Sequence, residues 1–189
     1  MPQVLKEEVR SKILLAAEDV FYKKDYRSAK LQEIAEIADI PVALIYTYFK
    51  NKETLFDAIV GNVYSDFFAA LEKEECSKGS PLKRFEATGE KYLRELLKNH
   101  KRLVILMDKS SDTKHMSAKQ NMIERLQKHI EWGLKKRSKR FYDPMLAHIL
   151  ASNFTEGLLE IARHYRGEEW AAGMLKIMTK CYYSGVESL

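Results

Sequence analysis

A tight turn between two short helices, at residues 39–41, most limits how this chain can fold. The apolar residues before the turn recur at the spacing of an amphipathic helix: Leu31, Ile34, Ala35 and Ala38. Pro41 has no N–H group and pushes the residue before it out of the helical region, so the first helix must end there. A second short helix follows from Val42 to Phe49. Two helices joined by so short a turn form a helix-turn-helix, whose second helix can lie in the major groove of DNA.

The rest of the chain is predicted to be helical as well. The 189 residues include only 8 Gly and 4 Pro, and no run shows the alternating polarity of a half-buried strand. We therefore predict an all-α fold of about nine helices. An apolar stripe from Leu55 to Leu71 predicts one long helix over residues 52–75. This stripe is too long to serve a three-helix domain alone, so the helix is expected to link two bodies.

The net charge of +5 does not by itself indicate nucleic-acid binding, because the charge is unevenly distributed. Residues 1–60 carry 9 Lys and Arg against 10 Asp and Glu, whereas residues 98–140 carry 13 against 4. The densest basic run, residues 135–140, is either a solvated loop or a contact for an anionic ligand, a membrane or flanking DNA. DNA recognition must therefore depend on a few locally placed side chains.

Several functional classes are disfavoured by the sequence. Cys76 and Cys181 are far apart and form no metal-binding motif, which is typical of free thiols in a reducing cytosol. The N-terminus is polar, unlike a signal peptide, and the longest uncharged stretch, residues 144–155, is too short to span a bilayer. No nucleophile elbow or phosphate-binding loop occurs. We expect a cytoplasmic protein without a cofactor, without a membrane partner and without enzymatic activity.

Three sequence blocks in the N-terminal third follow one another at fixed spacing: Ile34-Ala35 with Ala38, Tyr46-x-Tyr48-Phe49, and Lys50-Asn51-Lys52-Glu53-x-Leu55. Their order and spacing resemble the DNA-binding domain of the tetracycline-repressor (TetR) family of bacterial transcriptional regulators. The chain departs from the family at Ala29-Lys30, where a Thr pair is usual, and at Ala38-Asp39-Ile40-Pro41, where Ala-Gly-Val-Ser is usual. Asp tolerates the left-handed conformation better than most residues other than Gly.

The resemblance implies two domains. Residues 1–51 would form the three-helix, helix-turn-helix DNA-binding domain, and residues 52–189 a helical domain for ligand binding and dimerisation. On the second helix of the motif, Ile45 and Phe49 are four residues apart and are expected to face the core.

The resemblance also assigns contacts to individual side chains. Base contacts fall on Val42, Ala43, Tyr46 and Thr47, with Leu44 left open. Gln32 can bond bidentately to adenine or can be an ordinary solvated Gln. Phosphate contacts fall on Lys30, Tyr48, Lys50 and Lys52, and for Lys30 and Lys50 a solvated lysine remains the alternative.

The C-terminal domain is rich in Met and aromatic residues. Most of these are expected in core or dimer packing, and some in a pocket for an apolar ligand. The pocket residues we predict are Phe67, Tyr92, Met107, Met122 and Phe154. The last two helices are the expected dimer interface, with Ala151, Leu158, Ile161, Trp170, Ile177 and Cys181 as its contacts.

Along one of these helices, Glu156, Glu160 and His164 are spaced by four. This spacing is expected to give a surface charge ladder rather than a metal site.

Together these features predict a homodimeric, ligand-responsive regulator, and specifically a repressor. A small apolar effector would tilt the linking helix and release a palindromic double-stranded DNA operator. The alternative is an architectural or partner-binding protein that associates with DNA without a small-molecule inducer. The apolar character of Val42 and Ala43 keeps this alternative open.

Overall fold

The computed structural model describes residues 3–63, 65–137 and 142–188, and in these residues the chain forms ten helices and no strand. The helices of the N-terminal part are α1 (Gln3–Lys23), α2 (Leu31–Ala38), α3 (Val42–Tyr48) and α4 (Lys52–Val60). After α5 (Ser65–Cys76), helix α6 consists of Pro81–Arg84, a π-helical turn Phe85–Gly89, and Glu90–Lys98. The remaining helices are α7 (His100–Asp108), α8 (Ala118–Arg137), α9 (Pro144–Arg163) and α10 (Glu168–Glu187). The all-α prediction is confirmed, with ten helices instead of about nine. Residues 138–141, which include half of the basic run at 135–140, lie outside the described residues.

Helices α1 to α4 share one core. Its fully buried side chains are Ile13, Phe21, Ile34, Ile45, Leu55 and Phe56. The Phe21 and Phe56 rings meet edge to face at 5.0 Å, and Tyr26 contacts Phe56 in the same way at 5.2 Å. Ile45 and Phe49 point inward with exposures of 0% and 6%, as the helical spacing predicts. This packing fixes α3 against α1 and α2 and leaves its other face to solvent.

The prediction of one continuous helix over residues 52–75 is wrong. Helix α4 ends at Val60, a turn follows at residues 61–63, and α5 begins at Ser65. The sequence Val60-Gly61-Asn62 explains the break, because Gly and Asn both have low helix propensity. As a result α4 packs with the N-terminal helices, whereas Phe67 and Leu71 of α5 are buried in the C-terminal body.

Charged contacts join the N-terminal helices to the body. Three carboxylates lie 2.6 Å from cations across this junction: Glu18 with Arg102, Asp19 with Lys101, and Asp57 with Lys114. A backbone bond from the Tyr26 N–H to the Lys109 carbonyl, 2.9 Å, adds to them. Such partly exposed pairs contribute at most about 1 kcal/mol each, so the junction is specific without being strong.

Asp57 occupies the centre of this junction. It accepts hydrogen bonds from Lys114 at 2.6 Å and from His115 at 2.8 Å. Burial alone would raise the pKa of Asp57, but these two bonds outweigh it and hold the pKa below its usual value.

Helix α7 forms the centre of the C-terminal body. Leu103 to Met107 are all buried. Arg163 of α9 binds Asp108 of α7 through two hydrogen bonds of 2.8 Å. Among the described helices, none is both long and apolar enough to cross a membrane.

The charge ladder on α9 is a set of ion pairs, as predicted. Glu156 and Glu160 both pair with Arg163, Glu156 also pairs with Lys119, and His164 lies 3.3 Å from Glu160.

Candidate DNA-binding interface and effector cavity

The turn of the helix-turn-helix is a left-handed C-cap. Asp39 has φ 53° and ψ 53°, the left-handed region that Asp tolerates. Its N–H donates to the Glu36 carbonyl at 3.2 Å, and the Ile40 N–H donates to the Ala35 carbonyl at 3.1 Å. These two bonds form a Schellman motif, in which Asp39 takes the place usually held by Gly. Pro41, at φ −63°, then starts α3 in a new direction.

The solvent-facing side of α3 carries most of the predicted base contacts. Ala43 and Thr47 are exposed, and Tyr46 is 55% exposed. The Thr47 hydroxyl lies 3.5 Å from the Ala43 carbonyl, a contact at the outer limit of a hydrogen bond, so this hydroxyl can bond elsewhere. Val42 and Tyr48 are half-buried. This surface, which we call the α3 face (Ala43, Tyr46 and Thr47), has the position of a recognition surface, and the individual contacts stay predictions.

Two predicted phosphate contacts and one predicted base contact are exposed to solvent. Lys30 comes directly before α2, Gln32 lies in its first turn, and Lys50 comes shortly before α4; all three are exposed. The start of α4 is closed by a capping box, in which Asn51 accepts from the Thr54 N–H at 2.8 Å and Thr54 Oγ1 accepts from the Asn51 N–H at 3.2 Å. The capping box fixes the backbone at Asn51, which directly follows Lys50.

Lys52 makes several contacts within the protein, and its predicted phosphate contact stays a prediction. Its Nζ donates to the Tyr26 carbonyl at 2.7 Å and to the Ala29 carbonyl at 3.0 Å, and lies 4.5 Å from the centre of the Tyr26 ring. Burial lowers the pKa of Lys52, and nearby Asp25 opposes this shift. The ammonium therefore holds the loop between α1 and α2, because all its strong contacts lie within the protein.

A cavity of about 50 Å³ lies in the C-terminal body between α5, α6, α8, α9 and α10. Of the predicted pocket residues, Phe67 and Phe154 line it. Met107 and Met122 do not; they are 7% and 1% exposed and belong to the core. Tyr92 is also placed elsewhere, in a polar cleft between the N-terminal helices and the body. Their place in an effector pocket stays a prediction, because helical spacing shows which residues face inward but not which of them border a cavity.

One acidic and two basic residues of the cavity wall were not predicted from the sequence: Glu74, Arg84 and His129. Glu74 is 1% exposed and Arg84 is 7% exposed. The sequence did indicate that Glu74 is buried. Glu74 lies seven residues after Phe67 and three after Leu71, so it falls on the same apolar stripe of α5. A carboxylate on a buried stripe is unusual and indicates a functional position.

The predicted dimer residues divide into two groups. Ala151, Leu158 and Ile161 are 0%, 0% and 7% exposed within the single chain, so they pack in its own core and offer little surface to a partner. That part of the prediction is corrected. Trp170 is half-buried, Cys181 is exposed and Ile177 is 58% exposed. Two exposed residues of α9 were not predicted: Met145 at 57% and Ile149 at 47%.

Comparison with known proteins agrees with this architecture. The family described as "Bacterial regulatory proteins, tetR family" matches residues 13–59, which include α2 and α3. The transcriptional repressor NicS of Pseudomonas putida is 31% identical over 91 residues, which are 48% of this chain and 39% of NicS. The regulator TtgR of Pseudomonas putida is 36% identical over 71 residues, 36% of this chain and 34% of TtgR. The chain thus matches little more than a third of the length of these curated relatives.

Solved structures match over nearly the whole chain. NalD, a repressor of a multidrug efflux pump in Pseudomonas aeruginosa, has a TM-score of 0.60 at 23% identity and covers 94% of this chain and 97% of its own. FadR of Bacillus subtilis, solved with stearoyl-CoA, has a TM-score of 0.58 at 18% identity, covering 93% and 98%. Residues 13–59 thus resemble the helix-turn-helix domain of the TetR family of bacterial regulators, and the chain as a whole shares the fold of these solved structures.

Proposed function

We propose that this chain is a homodimeric, cytoplasmic repressor that binds a palindromic operator and releases it when a small molecule enters the C-terminal body. The observation that carries the DNA-binding part is the α3 face, exposed on a helix whose opposite side is fixed by Ile45 and Phe49 in the core. Lys30, directly before α2, and Lys50, shortly after α3, are both exposed and would supply positive charge for phosphates.

Selection of bound fragments from the source genome tests this proposal most directly. We expect an enriched palindrome whose half-sites are about one DNA turn apart, because two recognition helices in a dimer read successive major grooves about 34–36 Å apart. The measured quantity is the ratio of specific to non-specific affinity at physiological salt, which for specific regulators is about 10³ or more. Enrichment of no common sequence would refute the operator proposal.

The same measurement addresses the alternative, an architectural or partner-binding protein. The observation that favours it is the sparse hydrogen-bonding capacity of the α3 face, where Ala43 offers only a methyl group. A specificity ratio near one, together with strong salt dependence, would support this alternative.

The proposed dimer joins α9 and α10 of two copies. On α10, Trp170, Gly173, Ile177 and Cys181 follow one another at spacings of three and four and form a stripe along one side. An added Cβ at Gly173 would meet nothing within 4 Å in the single chain, so there is open space beside this stripe. Exposed Ile149 on α9 adds apolar area.

Ile177→Asp should convert the dimer to a monomer, because it places a charge in an apolar interface. Sedimentation velocity measures the change. Ile37→Asp is the matched control: Ile37 is 54% exposed on α2, away from α9 and α10, and its substitution should leave the dimer intact. A dimer that survives Ile177→Asp would show that the two copies meet elsewhere.

A further inference from the structure

The cavity in the C-terminal body contains a buried carboxylate that lacks a hydrogen-bond partner. We propose that the effector is an apolar, aromatic molecule carrying a cationic group, which Glu74 binds. This inference rests on the proposed function, since it names the chemical class of the small molecule that would occupy this cavity.

Glu74 carries the argument. Its side chain lies in the cavity wall, 1% exposed, and neither of its oxygens accepts a hydrogen bond. The nearest cation is His129, whose Nε2 is 3.5 Å from Glu74 Oε1, too long for a strong hydrogen bond. A buried carboxylate without donors is costly, so proteins normally pair it or replace it. A ligand cation would supply the missing donors.

His129 is already engaged by a second carboxylate. Its Nδ1 lies 2.9 Å from Glu75, which is on the same helix as Glu74. Burial lowers the pKa of His129, but the two carboxylates outweigh burial and raise the pKa above its usual value. The His129 imidazole thus contacts two carboxylates, Glu74 and Glu75, and its contact with Glu74 is the longer and weaker one.

Aromatic rings surround the same space. The Phe85 and Tyr183 rings are 5.2 Å apart, Tyr183 and Tyr182 are 5.2 Å apart, and Tyr182 and Phe154 are 5.0 Å apart. Burial and the nearby Glu74 raise the pKa of both tyrosines, so their hydroxyls stay neutral. The negative face of an aromatic ring attracts a cation, and this attraction is stronger where water is excluded.

Arg84 also lines the cavity and raises the opposite possibility, an anionic ligand. Its Nη1 donates to the Gly79 carbonyl at 3.1 Å, and its guanidinium lies 5.4 Å from the centre of the Trp132 ring. Its Nε is buried without a partner. Arg84 thus has one hydrogen bond and one ring contact within the protein, whereas neither oxygen of Glu74 accepts a hydrogen bond, and on this difference we expect the cavity to favour a cation over an anion.

The cavity must widen to admit a ligand, because about 50 Å³ holds only a few water molecules. The π-helical turn supplies one wall, and Gly89 within it allows close packing. An added Cβ at Gly89 would lie 2.7 Å from the Phe85 ring and 3.6 Å from Glu74 Oε2. Gly89 thus keeps the space between this ring and the carboxylate open.

The test uses three probes of nearly the same shape and different charge: 2-naphthylmethylammonium, 2-naphthylmethanol and 2-naphthoate. Isothermal titration of the full-length protein measures each affinity. A charge-assisted hydrogen bond in a buried site favours the ammonium probe over the alcohol by about 10- to 100-fold. Glu74→Gln, which keeps the shape, should reduce this preference to about twofold or less.

Two further variants distinguish the effect of the carboxylate charge from the effect of cavity size. Glu72→Gln removes a carboxylate from the same helix, where Glu72 is exposed and pairs with Arg125, and should leave the preference unchanged. Gly89→Ala should weaken all three probes by a similar factor, because it narrows the cavity without removing charge.

Three results would overturn the inference: equal affinity for the three probes, preference for naphthoate, or no binding of any probe at millimolar concentration. A preference for naphthoate would assign the cavity to anions through Arg84. None of these results affects the proposed repressor, because operator binding by the free protein is measured without any probe.

Discussion

Replacing Lys52 by Met tests whether this lysine stabilises the fold or binds DNA. Met keeps most of the apolar stem and removes the ammonium, so the carbonyls of Tyr26 and Ala29 lose their donor. The loop between α1 and α2 would then depend on fewer contacts. We expect lower stability and no change in the number of phosphate contacts.

The magnitude follows from the two short bonds. A hydrogen bond to a charged group contributes roughly 1.5–3 kcal/mol, and these two belong at the low end because Lys52 is only half-buried. The cost of burying the ammonium, visible in its lowered pKa, offsets part of this gain. The net loss should be about 2 kcal/mol, which for a protein of this size lowers Tm by about 4–8 °C.

Two measurements decide the matter: urea unfolding for stability, and the slope of log Kd against log salt concentration for DNA binding. Lys50→Met is the matched control, because Lys50 is exposed two residues before Lys52 and should behave in the opposite way. It should leave Tm unchanged and reduce the salt slope by about 0.9. If Lys52→Met instead lowers the slope by one and leaves Tm unchanged, the structural role assigned to Lys52 is wrong.

Two other predictions concern backbone conformation and pH. Asp39→Gly should raise the free energy of unfolding by about 0.5–1 kcal/mol, because Gly adopts the left-handed conformation without strain. Asp39→Asn is the control, because it removes the same charge. If thermal melts show an equal gain for both variants, backbone strain at Asp39 is not the cause. His129 has a raised pKa, so its contribution to stability should be complete below pH 6.5 and should disappear as the pH rises through the folded-state value. Thermal melts from pH 5.5 to 9 should therefore show a decline that His129→Gln lacks, and parallel curves would refute the assignment.

The helix-turn-helix could be predicted from the sequence because its determinants are local. Apolar spacing places Ile34 and Ile45 inward, and Pro41 breaks the chain between the two helices. Asn51 is a favourable residue at a helix start, and it is found there. Each of these signals depends on neighbours within a few residues.

The contacts that the sequence did not predict lie between residues distant in the chain. Lys52 matches a motif, but its partners lie 23 to 26 residues earlier in the chain, and no spacing rule reveals them. Ala151 has the small side chain expected at a close helix contact, and the contact it makes is within its own chain. Local sequence shows that a residue is apolar or charged, whereas the fold decides which surface it meets.

The ion pairs between the N-terminal helices and the body affect how salt titrations of this protein should be interpreted. Three carboxylates of α1 and α4 face three cations of the body, so these acids are paired within the protein. Added salt screens these pairs as well as the phosphate contacts. If operator binding changes the distances in these pairs, the salt dependence of binding will contain an intramolecular part in addition to the ions released from phosphates.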